Sequence, residues 1–254
     1  MHKWIVVVLV SAIVAVSPTA WSEPSLKLAV AANFAEPLRA IATQYEQQSS
    51  VKSAITVASS GTLFAQLQHG ADIDVFFSAD RARPQALLEK GRVQQSDVHT
   101  YAFGRLAYLD RSQTSPSLND LKTYALSPGT RIAIANPRLA PYGQAAQDTL
   151  QQLTLWPQLS ARLVKGKNVL QAYQYYASGN VDRALVAWSL VVNDNAHVFL
   201  IPKKLHRPIE QQLAVTAREE NRSAARAFVD FVLSPAVQST LSDWGYEPVD
   251  DSTQ

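Results

Sequence analysis

The sequence predicts an α/β chain of mostly parallel sheets wrapped by helices, large enough for two lobes, and three observations carry that expectation. Short apolar runs alternate with segments of helical period, first after Pro24 and again after Tyr101. The 254 residues, 47% of them hydrophobic, suffice for one large core or two smaller ones. No repeat, low-complexity block or long linker interrupts the series.

Taken in order, the chain opens on a secretory signal. Lys3 supplies a positive n-region, Trp4 to Val16 is apolar apart from Ser11, and Pro18-Thr-Ala-Trp-Ser22 fits a cleavage region. Residues 1–22 are therefore expected to be removed on export, leaving a mature chain from Glu23 in the periplasm. The apolar run falls short of the ~20 residues that a spanning helix needs, which favours cleavage over an uncleaved anchor.

Leu28 to Ala32 then fits a buried parallel strand, Asn33 a turn, and Phe34 to Gln48 a helix, with Leu38, Ile41, Ala42 and Tyr45 at helical spacing. The unit repeats as strand 54–58, helix 61–68, strand 74–78 and helix 83–90. A second series reads as strands 106–109 and 131–135, helices 142–153 and 169–177, and strand 181–187. A strand-like stretch, 212–217, and two helical stretches, 223–233 and 235–244, follow. Residues after Tyr246 are expected to fray.

In open parallel sheets, ligands bind beyond the carboxyl ends of the strands, where helices begin with unpaired N–H groups. Those donors and the helix dipole favour anions. Four such junctions carry polar or turn-forming residues. At Ala31-Ala-Asn-Phe34, the Asn33 side-chain amide and main-chain N–H can both donate, or Asn33 can serve as an N-cap. At Ala58-Ser-Ser-Gly-Thr62, two hydroxyls and a glycine admit close approach of an anion, or a serine merely caps the helix. Asn136-Pro-Arg-Leu-Ala-Pro-Tyr-Gly143 places Pro141 at a helix start and Tyr142 beside it, either to hydrogen-bond a ligand or to pack its ring on the surface. At Gly166-Lys-Asn-Val169, Asn168 caps a helix whose first turn contains the N–H of Val169.

Composition removes other classes. The formal net charge of +2, with no Lys/Arg run, gives nucleic acid no footprint. Zero cysteines exclude a disulfide framework, a thiolate metal site, a cysteine nucleophile and lipoprotein anchoring. No nucleophile elbow, P-loop or zinc-protease motif occurs, and His69, His99, His197 and His206 are scattered, so the chain is not expected to be an enzyme. Asp72, Asp74 and Asp80 suggest either a cation site or solvated and capping roles at strand edges.

At these residues the sequence resembles the periplasmic molybdate-binding proteins of ABC uptake systems. The segments that carry the likeness are Ala29-Val-Ala-Ala-Asn-Phe34, Ala58-Ser-Ser-Gly-Thr-Leu63, Gly70-Ala-Asp-Ile-Asp-Val-Phe-Phe-Ser-Ala-Asp80, the loop 136–143, Leu233-Ser-Pro-Ala-Val-Gln238 and Trp244-Gly-Tyr246. The resemblance implies the type II periplasmic-binding-protein fold. Residues 23–104 with 209–254 would form one lobe and 105–208 the other, with the ligand between them. It places the oxyanion contacts on Ala32, Asn33, Ser60, Tyr142 and Val169, which would hold molybdate or tungstate by neutral hydrogen bonds. Ala187, beside Trp188, stands where one branch of the family has a liganding tyrosine. No cofactor is implied. The implied partners are the oxyanion and the transporter's permease with its ATPase, for a monomeric carrier whose lobes close by a hinge motion. A carrier of the same fold for sulfate, phosphate or a small carboxylate is the alternative.

Overall fold

The alternation of apolar runs and amphipathic segments produces, in chain order, β1 (Ser25–Ala31), α1 (Ala35–Ser49), β2 (Lys52–Ala58), α2 (Ser60–Gln68), β3 (Val75–Phe77), α3 (Ala82–Glu89), β4 (Val98–Gly104) and β5 (Leu106–Asp110). These are followed by α4 (Leu118–Leu126), β6 (Ile132–Ala135), α5 (Pro141–Gln152), α6 (Trp156–Leu159), β7 (Leu163–Gly166), α7 (Val169–Ala177), β8 (Arg183–Ala187), β9 (Val198–Leu200), β10 (Ile209–Val215), α8 (Glu219–Leu233) and α9 (Pro235–Gln238). A computed structural model describes residues 25–129, 131–193, 197–247 and 249. The expected signal segment, residues 1–22, lies outside them. Among the described residues, no helix is long and apolar enough to cross a membrane.

The strands form two five-stranded sheets of matching order, β2-β1-β3-β10-β4 and β7-β6-β8-β5-β9. Within each, the first three strands run parallel, as the alternating pattern requires. One strand in each sheet, β10 or β5, runs against its two neighbours, so four of the five strands share a direction and each sheet is mostly parallel with a single antiparallel strand. The reason is topological. β5 and β10 enter their sheets from the opposite lobe, and a strand arriving that way runs against its neighbours.

Each sheet is buried under its own helices. One core gathers Phe34, Leu38, Phe77, Tyr101, Phe228 and Tyr246, with the Phe34 ring 4.7 Å from that of Tyr101 and 5.3 Å from that of Tyr246. The other gathers Leu106, Tyr108, Ile134, Leu150 and Leu185, and it also takes in Ala31, Ala32 and Ala79 from the first lobe. The two lobes thus meet over an apolar seam at the carboxyl ends of their parallel strands.

Two chain crossings join the lobes: Arg105, between β4 and β5, and residues 201–208, ahead of β10. Glu247, the first residue of the stretch expected to fray, is held in place. Glu247 pairs its backbone with Phe103 in both directions (3.0 and 2.9 Å), and its carboxylate accepts from Arg105 (3.0 Å) and Lys203 (2.6 Å). It therefore pins both crossings.

A buried ion pair ties β5 to β8. Asp110 faces Arg183 across the ladder at 2.9 Å and also accepts from the Tyr108 hydroxyl and from Ser112. Burial alone would raise the Asp110 pKa, but Ser112, Tyr108 and Arg183 more than offset it and hold the carboxyl below its usual value. The native pKa being depressed, this stabilisation is present above the unfolded carboxylate pKa of ~3.9 and is lost as pH falls through the native value. The stability gap between the wild type and Asp110→Asn is therefore expected to be full at neutral pH and to shrink progressively below about pH 4. Urea melts across that range check it, and a gap that stays constant contradicts it.

Candidate functional site

The ends of the parallel strands decide where polar groups can gather. β1 and β2 end on the paired residues Ala31 and Ala58, and β6 and β7 end on the paired residues Ala135 and Gly166. Small residues at these ends let the following loops crowd together. Gly143, in the first turn of α5, lies so near β6 that a Cβ would stand 2.3 Å from the Ala135 carbonyl oxygen, so only glycine permits this approach.

At the start of α2 the two serines separate in role. Ser59 is the N-cap, accepting from the Thr62 N–H at 3.2 Å. Ser60, fully buried, accepts from the Ala79 N–H at 2.9 Å. That bond occupies a lone pair and leaves the single Ser60 proton to donate elsewhere. Next to it, the Gly61 N–H donates across the lobe junction to the Leu139 carbonyl at 2.8 Å. The 136–140 loop of the second lobe is thereby seated on the amino end of α2.

Asn33 departs from its expected role. It caps no helix; residues 32–34 form a 3-10 turn that runs into α1. Its side-chain Nδ2 donates to Gln211 Oε1 (2.7 Å) and to the Tyr246 hydroxyl (3.0 Å), which uses both amide protons inside the first lobe. The Tyr246 hydroxyl in turn donates to the Asn33 carbonyl (2.7 Å), which also accepts from Ser189 of the second lobe (3.1 Å). Asn33 therefore has its main-chain N–H to offer a ligand, and the side chain fixes the turn that aims it.

Tyr142 is not a surface ring. It is 1% exposed, and its hydroxyl reaches Gly104 at the end of β4 in the other lobe. Burial pushes its pKa, like those of Tyr101 and Tyr246, well up, so all three phenols stay protonated at neutral pH. Pro141 at the first helical position has no N–H, so the first main-chain donor of α5 belongs to Tyr142. Asn168 caps α7 by accepting from Gln171 at 2.9 Å, which leaves Val169 as the first helical N–H there.

The structure links several of the expected residues at the lobe junction, where Tyr142 Oη and Gln211, the partner of Asn33, both crowd Gly104. Ala32, Tyr142 and Val169 share one buried cluster with Ala79, the partner of Ser60, while Asn33 joins through Gln211. α7 also packs directly on the 32–34 turn. Ala187, at the end of β8, is wholly buried and supplies only a methyl group. Trp188, the next residue, donates its N–H to the Arg105 carbonyl at 2.9 Å and packs against Gly245. Sequence reading missed Gln211, Tyr246 and Ser189. Gln211 sits in a polar run, Glu210-Gln211-Gln212, that gave it no distinguishing signal.

The side chains that form this cluster are electrically neutral. One guanidinium, Arg83, lies beside Gly61 and is paired with Asp80, and another, Arg105, follows Gly104 and is paired with Glu247. The other two aspartates considered for a cation have partners of their own: Asp72 pairs with Lys27 and Arg218, and Asp74 accepts from the Lys27 N–H and the Asn221 amide.

Comparison with known proteins bears directly on this arrangement. A family model described as bacterial extracellular solute-binding protein matches residues 26–247. The molybdate-binding protein ModA of Rhodobacter capsulatus is 33% identical over 220 residues, covering 86% of each chain. ModA of Azotobacter vinelandii is 32% identical over 232 residues, covering 87% of this chain and 89% of that one. The structure of the Azotobacter vinelandii periplasmic molybdate-binding protein superposes with a TM-score of 0.82 at 31% identity, over 89% of this chain and 100% of that one. The sulfate-binding protein SubI of Mycobacterium tuberculosis, 16% identical with a TM-score of 0.75, shares the fold alone. Two mixed α/β lobes meeting at helix starts, together with these relatives, establish that the chain belongs to the bacterial extracellular solute-binding protein family, among its ModA-like members.

Proposed function

We propose that this protein captures molybdate in the periplasm, takes tungstate equally well, and delivers the ion to the permease and ATPase of an ABC importer. One observation supports the reading: the buried Tyr142, from a helix start of one lobe, reaches Gly104 of the other, in a chain 33% identical to a molybdate-binding protein. The donors in this reading are the N–H groups of Ala32, Asn33 and Val169, and both the N–H and the O–H of Ser60 and of Tyr142. Rigid dipoles of this kind replace the hydration shell of a dianion, and each charge-assisted bond is stronger than a neutral one. The relatives, solute-binding proteins, support a carrier's role for this donor set.

Selectivity follows from size and protonation. Molybdate and tungstate are nearly equal in size and larger than sulfate or phosphate, so a ring of donors fixed by the fold leaves the smaller ions with contacts that are too long. Phosphate near pH 7 also carries protons, and a shell made only of donors offers them no acceptor. The lobes divide at the two crossings, 23–104 with 209–254 against 105–208, and a single chain supplies every donor, so the monomer suffices.

Calorimetric titration of the purified protein with molybdate, tungstate, sulfate and phosphate tests the reading. Tight one-to-one binding of the first two alone is expected; heat from sulfate or phosphate instead transfers the function to a carrier for that anion. Gly61→Ala tests closure separately. The new methyl carbon would stand 2.8 Å from the Leu139 carbonyl oxygen and 3.1 Å from its Cα, so the loop must back away from α2. An affinity loss of about tenfold is expected, from one strained inter-lobe contact of ~1–2 kcal/mol. Unchanged affinity would place the closing contact elsewhere.

A further inference from the structure

Beneath the proposed oxyanion site, one buried side chain from neither the strand ends nor the helix starts touches the machinery of both lobes. Gln211 lies on β10 where the ladder to β4 shifts register, the extra residue on β4 being Tyr101, and it keeps the buried face of β10 that Ile209 and Leu213 share. It is wholly buried. Its Oε1 accepts from Asn33 Nδ2 at 2.7 Å and lies 3.1 Å from the Tyr101 hydroxyl, whose single proton the Ser78 carbonyl, also at 3.1 Å, can take instead. The Asn33 donor fixes which end of the amide is which. The Nε2 end has no hydrogen-bond partner among the described residues, and the same is true of the Tyr142 hydroxyl. Both atoms crowd one point: a Cβ on Gly104 would stand 2.2 Å from Tyr142 Oη and 2.9 Å from Gln211 Nε2.

Two buried polar atoms left unpaired side by side are costly, and a small lobe movement would pair them. Gln211 Nε2 is a donor only, so in that pairing the phenol oxygen accepts. Its own proton then has to point away from Gln211 and toward the cleft. We infer that Gln211 is the positioning residue that ties lobe closure to ligand capture: it anchors the Asn33 turn through its carbonyl and orients the Tyr142 hydroxyl through its amide. Gln211 does not touch the ion. It sets the direction of a proton donated by the other lobe and makes the closed arrangement depend on that contact. This inference rests on the oxyanion reading above.

Affinity for molybdate in a double-mutant cycle of Gln211→Met and Tyr142→Phe tests it, with a pH profile of Gln211→Glu. Each single variant is expected to bind ten- to thirtyfold more weakly, and the double variant no more weakly than the worse single one, because the two residues act as a unit. Gln211→Glu turns the donor into an acceptor that draws the Tyr142 proton away from the ion and sets a negative charge beside the dianion. Its affinity is expected to collapse at pH 8 and to recover severalfold by pH 5.5, as the buried carboxyl takes up a proton. The titratable groups facing that position are the phenols of Tyr101, Tyr142 and Tyr246, all neutral over this range, with Asp80 beyond Tyr101. A merely structural role would give no such recovery. Wild-type affinity in Gln211→Met, additive losses in the cycle, or a flat profile for Gln211→Glu each overturns the inference while leaving the oxyanion reading intact. Failure of the wild type to bind any of the four oxyanions overturns both. If Gln211→Met does not fold, Gln211→Glu, of equal size, decides alone by its profile.

Discussion

Gly104→Ala is expected to lower the affinity for molybdate by about a thousandfold while leaving the ligand-free protein folded. A methyl carbon at that position would lie 2.2 Å from the Tyr142 hydroxyl oxygen and 3.0 Å from its Cζ, well inside contact distance. The Tyr142 ring is buried on every side and has no alternative place within the closed cleft. It must withdraw, and the amino end of α5 withdraws with it, carrying away the Tyr142 N–H. Losing two charge-assisted hydrogen bonds at ~1.5–3 kcal/mol each gives the stated magnitude. Overpacking inside one rigid core would cost ~1–3 kcal/mol of stability. Here the clash lies between lobes joined by two crossings, so opening relieves it without unfolding. The ligand-free melting temperature should therefore stay near that of the wild type, the rise on adding molybdate should shrink, and small-angle scattering with ligand should report an open molecule. A variant that closes and binds normally would show that Tyr142 does not enter the first lobe in solution.

Ser60→Ala is the second large effect, an expected loss of ten- to hundredfold in affinity accompanied by a lower melting temperature. The two consequences have separate causes. Affinity falls because the hydroxyl proton, left free by the bond from the Ala79 N–H, no longer reaches the anion, a loss of ~1.5–3 kcal/mol. Stability falls because that N–H, on a residue 1% exposed, loses its acceptor, at ~1–3 kcal/mol. For a chain of this size the second cost corresponds to a drop of several degrees. Ser59→Ala is the control. Ser59 caps α2 and accepts from Thr62, so its loss should cost ~1 kcal/mol of stability and little affinity. Equal affinity losses in both variants would place the site elsewhere.

Most elements were legible because their physics is local. The 169–177 helix matches its expected bounds, and β1, β2, β5, β6 and β8 fall within a few residues of theirs, since each is an apolar run closed by turn chemistry. The misses have particular causes. β10 begins at Ile209 rather than Gln212 because the polar run Glu210-Gln211-Gln212 hides the alternation that marks a strand. β9 is only three residues long, too short for a period to register. α4 was missed although Ser117 and Asp120 form a capping box, a signal present in the sequence and not used. The 235–244 stretch divides into α9 and a 3-10 turn, Leu241–Trp244, ahead of the left-handed Gly245.

The sequence by itself determined the α/β class and marked four strand-to-helix junctions, because strand ends, caps and helix starts are written in neighbouring residues, while the export signal expected at residues 1–22 lies outside the described residues. Only the tertiary structure decided what each donor does. It committed the Asn33 amide to Gln211 and Tyr246, residues 178 and 213 positions away, and it turned Tyr142 from the surface into the opposite lobe. Such pairings arise when two sheets close over a shared seam, and no periodicity along the chain encodes a hydrogen bond made across that distance.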